Sequence, residues 1–454
     1  MLGRLLDVLK KPAARPAAAP SAPDMRTAQT LAALAGFEQQ YAALHGPAQA
    51  PDASAATLQA YAHACYGLET PAHDAECEHA LKRLLALEPD NPQAHYALAL
   101  LISADARFAE AETHLRAAYA RAPDNADVAL SLTMCLLQRD NYVEGFRLFE
   151  TRRAHSTHPA PHIAALPAWH GEALAGKTIV LWADWGGFGD DLAYLRYARV
   201  IRETLQPARL VVAARAPLKR LLAAQSYIDE AVDLGARVAG DWQCPLIDAV
   251  AVVGSNIANL PAWPAYLATP ADELPYWRER LAGARGLKVG LVWTSTSVPQ
   301  VELDLVGRYD KHLANAALAS LAGIAGMTYV SLQKGAGIPR AAALLPGTPV
   351  LDHTDDLGDF ADTAALISQL DLVLTIDTSI AHLAGALGVP ALVLLKKSTA
   401  CFWPIGRDTT PWYPSVRMLV QPALRDWTSV LARARAILER RAAGVPWPQC
   451  CDAP

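Results

Sequence analysis

Six apolar runs restrict this chain more than any other feature of it. They read KTIVLWA from Lys177, RLVVAA from Arg209, KVGLVWT from Lys288, MTYVSLQ from Met327, DLVLTID from Asp371 and ALVLL from Ala391, and stretches rich in Ala and Leu lie between them. A strand with one wet face alternates polar and apolar residues. A run that is apolar throughout is covered on both faces, as in parallel sheets whose crossovers are helices. The runs fall into two sets, from about Gly176 to Leu281 and from about Leu287 to Met418, with the hydrophilic stretch Tyr276 to Arg285 between them. The expected α/β fold is two Rossmann-like halves facing each other across a cleft, residues 158–285 and 286–441, followed by a tail over 442–454.

Composition narrows the function. With 40 Lys and Arg against 45 Asp and Glu, and no long basic stripe, the chain lacks the electrostatics of a dedicated nucleic-acid binder. Its seven cysteines are scattered, with no pair at a zinc-knuckle or redox spacing, so the expectation is a reduced, cytoplasmic protein without a structural metal. The uncharged stretches Ala249 to Ala271 and Thr378 to Leu395 are too polar and too broken by Asn, His and Pro to read as membrane spans. The start of the chain does not have the layout of a signal peptide. Residues 1–54 are rich in Ala and Pro and read as a linker with one helical piece, Ala28 to Leu44.

Ahead of the α/β texture lies a repeat. LEPDNPQAHYALAL and RAPDNADVALSLTM set Pro89 and Pro123 34 residues apart, the tetratricopeptide period. Leu98, Ala99, Ala111, Leu115 and Ala118 fall where that motif packs large against small residues. Leu132, Gly145 and Phe149 follow one period on, with Ala64, Cys77, Leu81 and Leu84 one period earlier. Residues 55–157 therefore read as three repeats, each a pair of antiparallel helices stacked on the next. Such an array suits a peptide or protein partner without naming one.

Two strand ends carry candidate chemistry. The first strand runs into Trp185-Gly186-Gly187-Phe188-Gly189-Asp190-Asp191. Gly186, Gly187 and Gly189 let the backbone approach a ligand at a helix N-terminus. The loop is not the dinucleotide fingerprint, which disfavours a nicotinamide-dependent oxidoreductase. Asp190 and Asp191 fit a helix cap and a general base about equally well. In the second half a strand ends at Asp377 and a helix starts at once in Thr378-Ser379-Ile380-Ala381-His382. Thr378, Ser379 and the helix N-terminus can hold a diphosphate, and His382 lies one turn on, on the same face. A capped helix with a buried histidine explains any one of these residues but explains the whole string poorly.

LAGKTIVLWADWGGFGDDLAYLRYA, KVGLVWT, SLQKG, DFADTAALISQLDLVLTIDTSIAHLAGALGVPALVLL and PWYPSVRMLVQP resemble the heptosyltransferase-like glycosyltransferases of family 9. More narrowly, they resemble bacterial proteins that join tetratricopeptide repeats to such a domain. The resemblance implies a GT-B architecture with the acceptor on the first half and a nucleotide-sugar co-substrate on the second, and no other cofactor. It implies Asp190 as the base, and Asp377, Thr378, Ser379 and His382 as the donor-binding block. Thr294 and Ser295 would lie near the donor phosphates, with Lys311, Gln333 and Lys334 as further donor-side candidates. It implies an inverting displacement that needs no metal. The chain departs from its relatives in TSTSVPQVELDLVGRYDKHL and KKSTACFWPIGRDTTPWYP, segments expected to shape the sugar and base pockets. The competing expectation is a catalytically degenerate scaffold whose repeats bind a partner protein.

Overall fold

The computed structural model describes residues 23–151, 160–295, 311–335 and 337–452. Its first third is a helical array: α1 (Pro23–Gln49), α2 (Ala55–Leu68), α3 (Pro71–Leu87), α4 (Pro92–Ala104), α5 (Phe108–Arg121), α6 (Ala126–Gln138) and α7 (Tyr142–Phe149). Helices α2 and α3, α4 and α5, and α6 and α7 pack as pairs, each pair stacked on the next. The repeated PDN blocks end where α4 and α6 begin. Asn91 Oδ1 accepts the Ala94 N–H at 3.0 Å, and Asn125 Oδ1 accepts the Asp127 and Val128 N–H groups at 3.0 and 3.2 Å. Each side chain thus satisfies amides that a helix start leaves unpaired. Leu84, Leu98, Ala99, Ala111, Leu115, Ala118 and Leu132 are all buried in one array core. Helix α1 extends beyond the piece expected from Ala28 to Leu44 and packs on α2.

Two parallel sheets follow, an α/β arrangement. The first contains β1 (Thr178–Trp182), β2 (Arg209–Ala214), β3 (Glu230–Asp233) and β4 (Trp242–Pro245) in the order β3-β2-β1-β4. The second contains β5 (Leu287–Val292), β6 (Met327–Ser331), β7 (Val350–Asp352), β8 (Leu372–Ile376), β9 (Ala391–Leu395) and β10 (Val416–Val420) in the order β10-β9-β8-β5-β6-β7. All six expected runs are strands, and every strand pairing is parallel. The four strands beyond those runs, β3, β4, β7 and β10, are short or half-polar, and all four lie at sheet edges. The stretch between the halves is less wet than its composition suggests: it contains the helix Leu274–Arg280, whose Trp277 is fully buried.

The array is built into the α/β part. Tyr142, Phe146 and Phe149 of α7 belong to the same apolar core as Tyr194, Phe402 and Trp412 of the two halves. Trp412 Nε1 donates to Tyr142 Oη at 2.9 Å, and Gln138 Nε2 donates to the Thr399 carbonyl at 2.6 Å. Lys397 pairs with Asp105 at 2.5 Å and Arg407 with Asp140 at 2.7 Å.

Candidate functional site

The strands β1 and β8 each end in a tight turn into a helix, and these two helices, Phe188–Tyr194 (called α8 here) and Ser379–Ala386 (α9), pack on one another. On the β1 side, Gly186 has φ +79°, and a Cβ there would stand 2.5 Å from Asp190 Cγ, so the turn admits only glycine comfortably. The Gly187 N–H donates to Asp190 Oδ2 at 2.7 Å. Arg215 holds the loop from the β2 end: its Nη2 donates to the Gly186 carbonyl at 2.8 Å, and its Nη1 pairs with Asp191. The two aspartates left open by spacing therefore separate. Asp191 is buried against Arg215, and burial pushes its carboxyl up to about 6 despite that partner. Asp190 is half-buried at the interface of the two helices and doubles as the loop's internal cap.

On the β8 side, Thr378 caps α9: its Oγ1 accepts the Ile380 N–H at 3.3 Å and lies 3.1 Å from Thr375 Oγ1. Ser379 is the first helical residue. One turn on, His382 is 4% exposed, with Nδ1 2.8 Å from Tyr413 Oη and Nε2 3.9 Å from Asp377 Oδ1. Phe402, Trp403 and Tyr413 surround the imidazole with ring centroids at 4.7, 5.0 and 5.7 Å. Trp403 Nε1 donates to Asp377 Oδ1 at 2.8 Å, and Lys311 Nζ stands 3.9 Å from Asp377 Oδ2. Burial pushes the imidazole down to about 4, so the ring is neutral at pH 7. Burial acts to raise the Asp377 carboxyl, but Lys311, His382 and the Trp403 N–H outweigh it and hold the group below its ordinary range.

The two sides meet. A Cβ on Gly189 would come within 2.8 Å of His382 Cδ2, so this glycine is what lets the first loop lie on the histidine. The Asp190 carboxyl is raised, chiefly by burial, and the Asp377 charge raises it further while Arg215 and Lys311 oppose. Gly186, Gly187, Gly189, Asp190, Lys311, Asp377, Thr378, Ser379 and His382 thus form one constellation between the ends of the two sheets.

The remaining candidates are engaged within the protein. Gln333 Oε1 accepts the N–H groups of Trp293 and Thr294 at 3.1 and 3.0 Å, closing the end of β5. Thr294 is buried, with its hydroxyl 3.0 Å from His312 Nδ1, which also accepts the Ser295 N–H at 3.1 Å. Lys334 Nζ donates to the Leu357 carbonyl. Residues 296–310, most of the first departing segment, lie outside the described residues. Sequence reasoning missed His312, Arg215, Arg196, Phe402, Trp403 and Tyr413. Arg196 and Tyr413 stood in quoted motifs and His312, Phe402 and Trp403 in the departing segments, but no local spacing marked any of them, because long-range packing brings them to the site. The second departing segment supplies Phe402, Trp403 and Trp412, so it packs around the histidine and the array. Among the described residues, no three His, Cys, Asp or Glu side chains are grouped to hold a metal ion.

Residues 357–426 match the model of glycosyltransferase family 9 (heptosyltransferase). Protein FlbA of Caulobacter vibrioides is 26% identical over 394 residues, covering 79% of this chain, and the chain spans 63% of that relative's length. The family 9 glycosyl transferase of Veillonella parvula superposes with a TM-score of 0.43 at 12% identity, over 62% of this chain and 93% of that one. The ADP-heptose heptosyltransferase II of E. coli does so with a TM-score of 0.41 at 16% identity, over 57% and 100%. The family segment contains β8, Asp377, Thr378, Ser379, His382, β9 and β10, and it supports a glycosyltransferase.

Proposed function

We propose that this chain moves a sugar from a nucleotide-sugar to a hydroxyl acceptor by an inverting, metal-independent displacement. The observation that carries this reading is the meeting of Asp190 with the Asp377–Lys311–His382 group between the two sheets. A carboxylate raised by its surroundings is a better base, and Asp190 keeps one oxygen beyond the Gly187 N–H to take the acceptor's proton. As the acceptor oxygen bonds to the anomeric carbon, the bond to the diphosphate breaks. The leaving charge falls to Lys311, His382 and the N-terminal amides of α9. Asp377 holds Lys311 and His382 in place for that task. The first half then serves the acceptor and the second the donor.

The neighbouring heptosyltransferases make an ADP-linked sugar the first donor to try. Calorimetry with ADP, UDP, GDP and CMP is expected to select one nucleotide, with affinity lowered about tenfold or more in His382→Gln. A folded sample that binds none of them would sink the transferase reading and leave the scaffold. We further propose that the helix pairs over 55–157 are tetratricopeptide repeats that recruit a protein acceptor or partner, and that the protein works in the cytoplasm. The 34-residue recurrence of the capped helix starts supports the first statement.

A further inference from the structure

Arg196 is fully buried, yet among the described residues none of its hydrogen bonds goes to a carboxylate. Its Nε, Nη1 and Nη2 donate to the carbonyls of Ala193, Pro261 and Trp412 at 3.0, 2.9 and 2.8 Å. Its guanidinium lies over the rings of Tyr266, Trp412 and Tyr413, 4.7, 4.8 and 5.0 Å from their centroids. An interior cation without a counter-ion is costly, and carbonyls and aromatic faces offset that cost only in part. What the arrangement secures is Tyr413. Its ring is gripped between Arg196 and the backbone of α9 at Gly385, where a Cβ would come within 2.5 Å of Tyr413 Cδ1. Glycine at 385 is therefore required by this tyrosine.

The hydroxyl so placed faces His382 Nδ1. A neutral imidazole carries one proton, on Nδ1 or on Nε2. With the proton on Nδ1, the lone pair of Nε2 would point toward the ionised Asp377 carboxylate at 3.9 Å, an unfavourable arrangement. With the proton on Nε2, the N–H dipole meets that carboxylate and Nδ1 is free to accept from Tyr413. The cation over the phenol ring makes its O–H a stronger donor.

We propose that Tyr413, seated by Arg196 and Gly385, is a positioning residue that holds His382 with its proton on Nε2, so that the ring is a hydrogen-bond donor toward the Asp377–Lys311 side. Resting on the function proposed above, that N–H is the one offered to the leaving diphosphate. Tyr413 acts only through His382 and does not touch the substrate.

Nitrogen NMR of protein labelled with 15N-histidine at pH 7, with His382→Gln assigning the signal, reads the tautomer directly and without any ligand. The expected wild-type signal shows a protonated Nε2 and a bare Nδ1, and Tyr413→Phe, which keeps the ring, shifts it toward a mixture. Tyr413→Phe is also expected to weaken the best-binding of ADP, UDP and GDP about tenfold. A wild-type proton on Nδ1 would overturn the proposal. So would His382 signals unchanged in Tyr413→Phe; equal nucleotide affinity in that variant would remove only the diphosphate role. Nucleotide that leaves the wild-type His382 signals unmoved would likewise remove the diphosphate role, while the Nε2 proton would still support the hold of Tyr413 on the ring.

Discussion

Asp190 and His382 have opposite electrostatic problems, and each yields a measurable consequence. Asparagine at 190 can still accept the Gly187 N–H, so Asp190→Asn is expected to fold normally while losing the base. Once the donor is identified, kcat should fall about a hundred- to ten-thousand-fold with nucleotide affinity unchanged; wild-type turnover would remove Asp190 from the mechanism. His382 has its proton affinity lowered by burial, from an ordinary 6.5 to about 4. The unfolded chain therefore takes up a proton at this residue first as pH falls. Its contribution to stability is complete above 6.5 and is lost progressively down to about 4, roughly 3 kcal/mol in all. Asp191, raised to about 6, works in the opposite direction over much of the same window, because the folded state binds its proton more tightly. The comparison that isolates the histidine is wild type against His382→Gln, by urea unfolding at pH 7 and pH 4. A stability difference that does not change with pH would contradict the buried, neutral ring.

Element by element, the site depends on glycines that let two helices and a tyrosine approach. Gly189 faces His382 of the other side and Gly385 faces Tyr413, and a methyl group at either must displace those ring atoms. Gly385→Ala is expected to cost about 1–3 kcal/mol by forcing Tyr413 off its seat. Gly36→Ala is the control: nothing lies within 4 Å of the added carbon, so the exchange should gain about 0.5–1 kcal/mol from helix propensity alone. Thermal unfolding of the two variants settles the matter, and equal melting temperatures would mean that the close approach at Gly385 is readily relaxed. The helix starts of the array follow a simpler local rule. Asn91 and Asn125 cap α4 and α6 through bonds within three residues, which is why their role was legible from the PDN blocks.

Across the whole molecule, the array is a wall of the site. Helix α7 touches the glycine loop through Phe149 and Trp185, ring centroids 5.0 Å apart, and touches the helix α8 through Phe146 and Tyr194 at 6.2 Å. Through Tyr142 and Trp412 it reaches the segment that surrounds His382. Removing one of these rings leaves a void in a shared core. Phe149→Ala should cost about 3 kcal/mol and loosen the loop bearing Asp190. Because that core crosses the boundary, the array and the α/β part are expected to unfold together. In urea, the helical circular dichroism signal and tryptophan fluorescence of the wild type should trace one coincident transition. Two separated transitions would mean that the array is an independent module.

The sequence by itself determined the two parallel sheets, the paired helices and the block from Asp377 to His382. Unbroken apolar runs, a 34-residue period and a cap next to its helix are properties of neighbouring residues, and neighbours in sequence interact before any tertiary contact exists. Which aspartate of the glycine loop is available was decided by Arg215, 24 residues beyond Asp191. The surroundings of His382 were decided by Phe402 and Trp403, from a segment read only as a departure from its relatives, and by Tyr413, which follows them. Those choices rest on contacts between residues far apart in the chain, where burial and ring packing set the energies and no periodicity records them. Thr294, Gln333 and Lys334 make the same point from the other side. Thr294 and Gln333 are buried and spend hydrogen bonds within the fold at the end of β5, as a buried polar group must, and Lys334 donates to the Leu357 carbonyl.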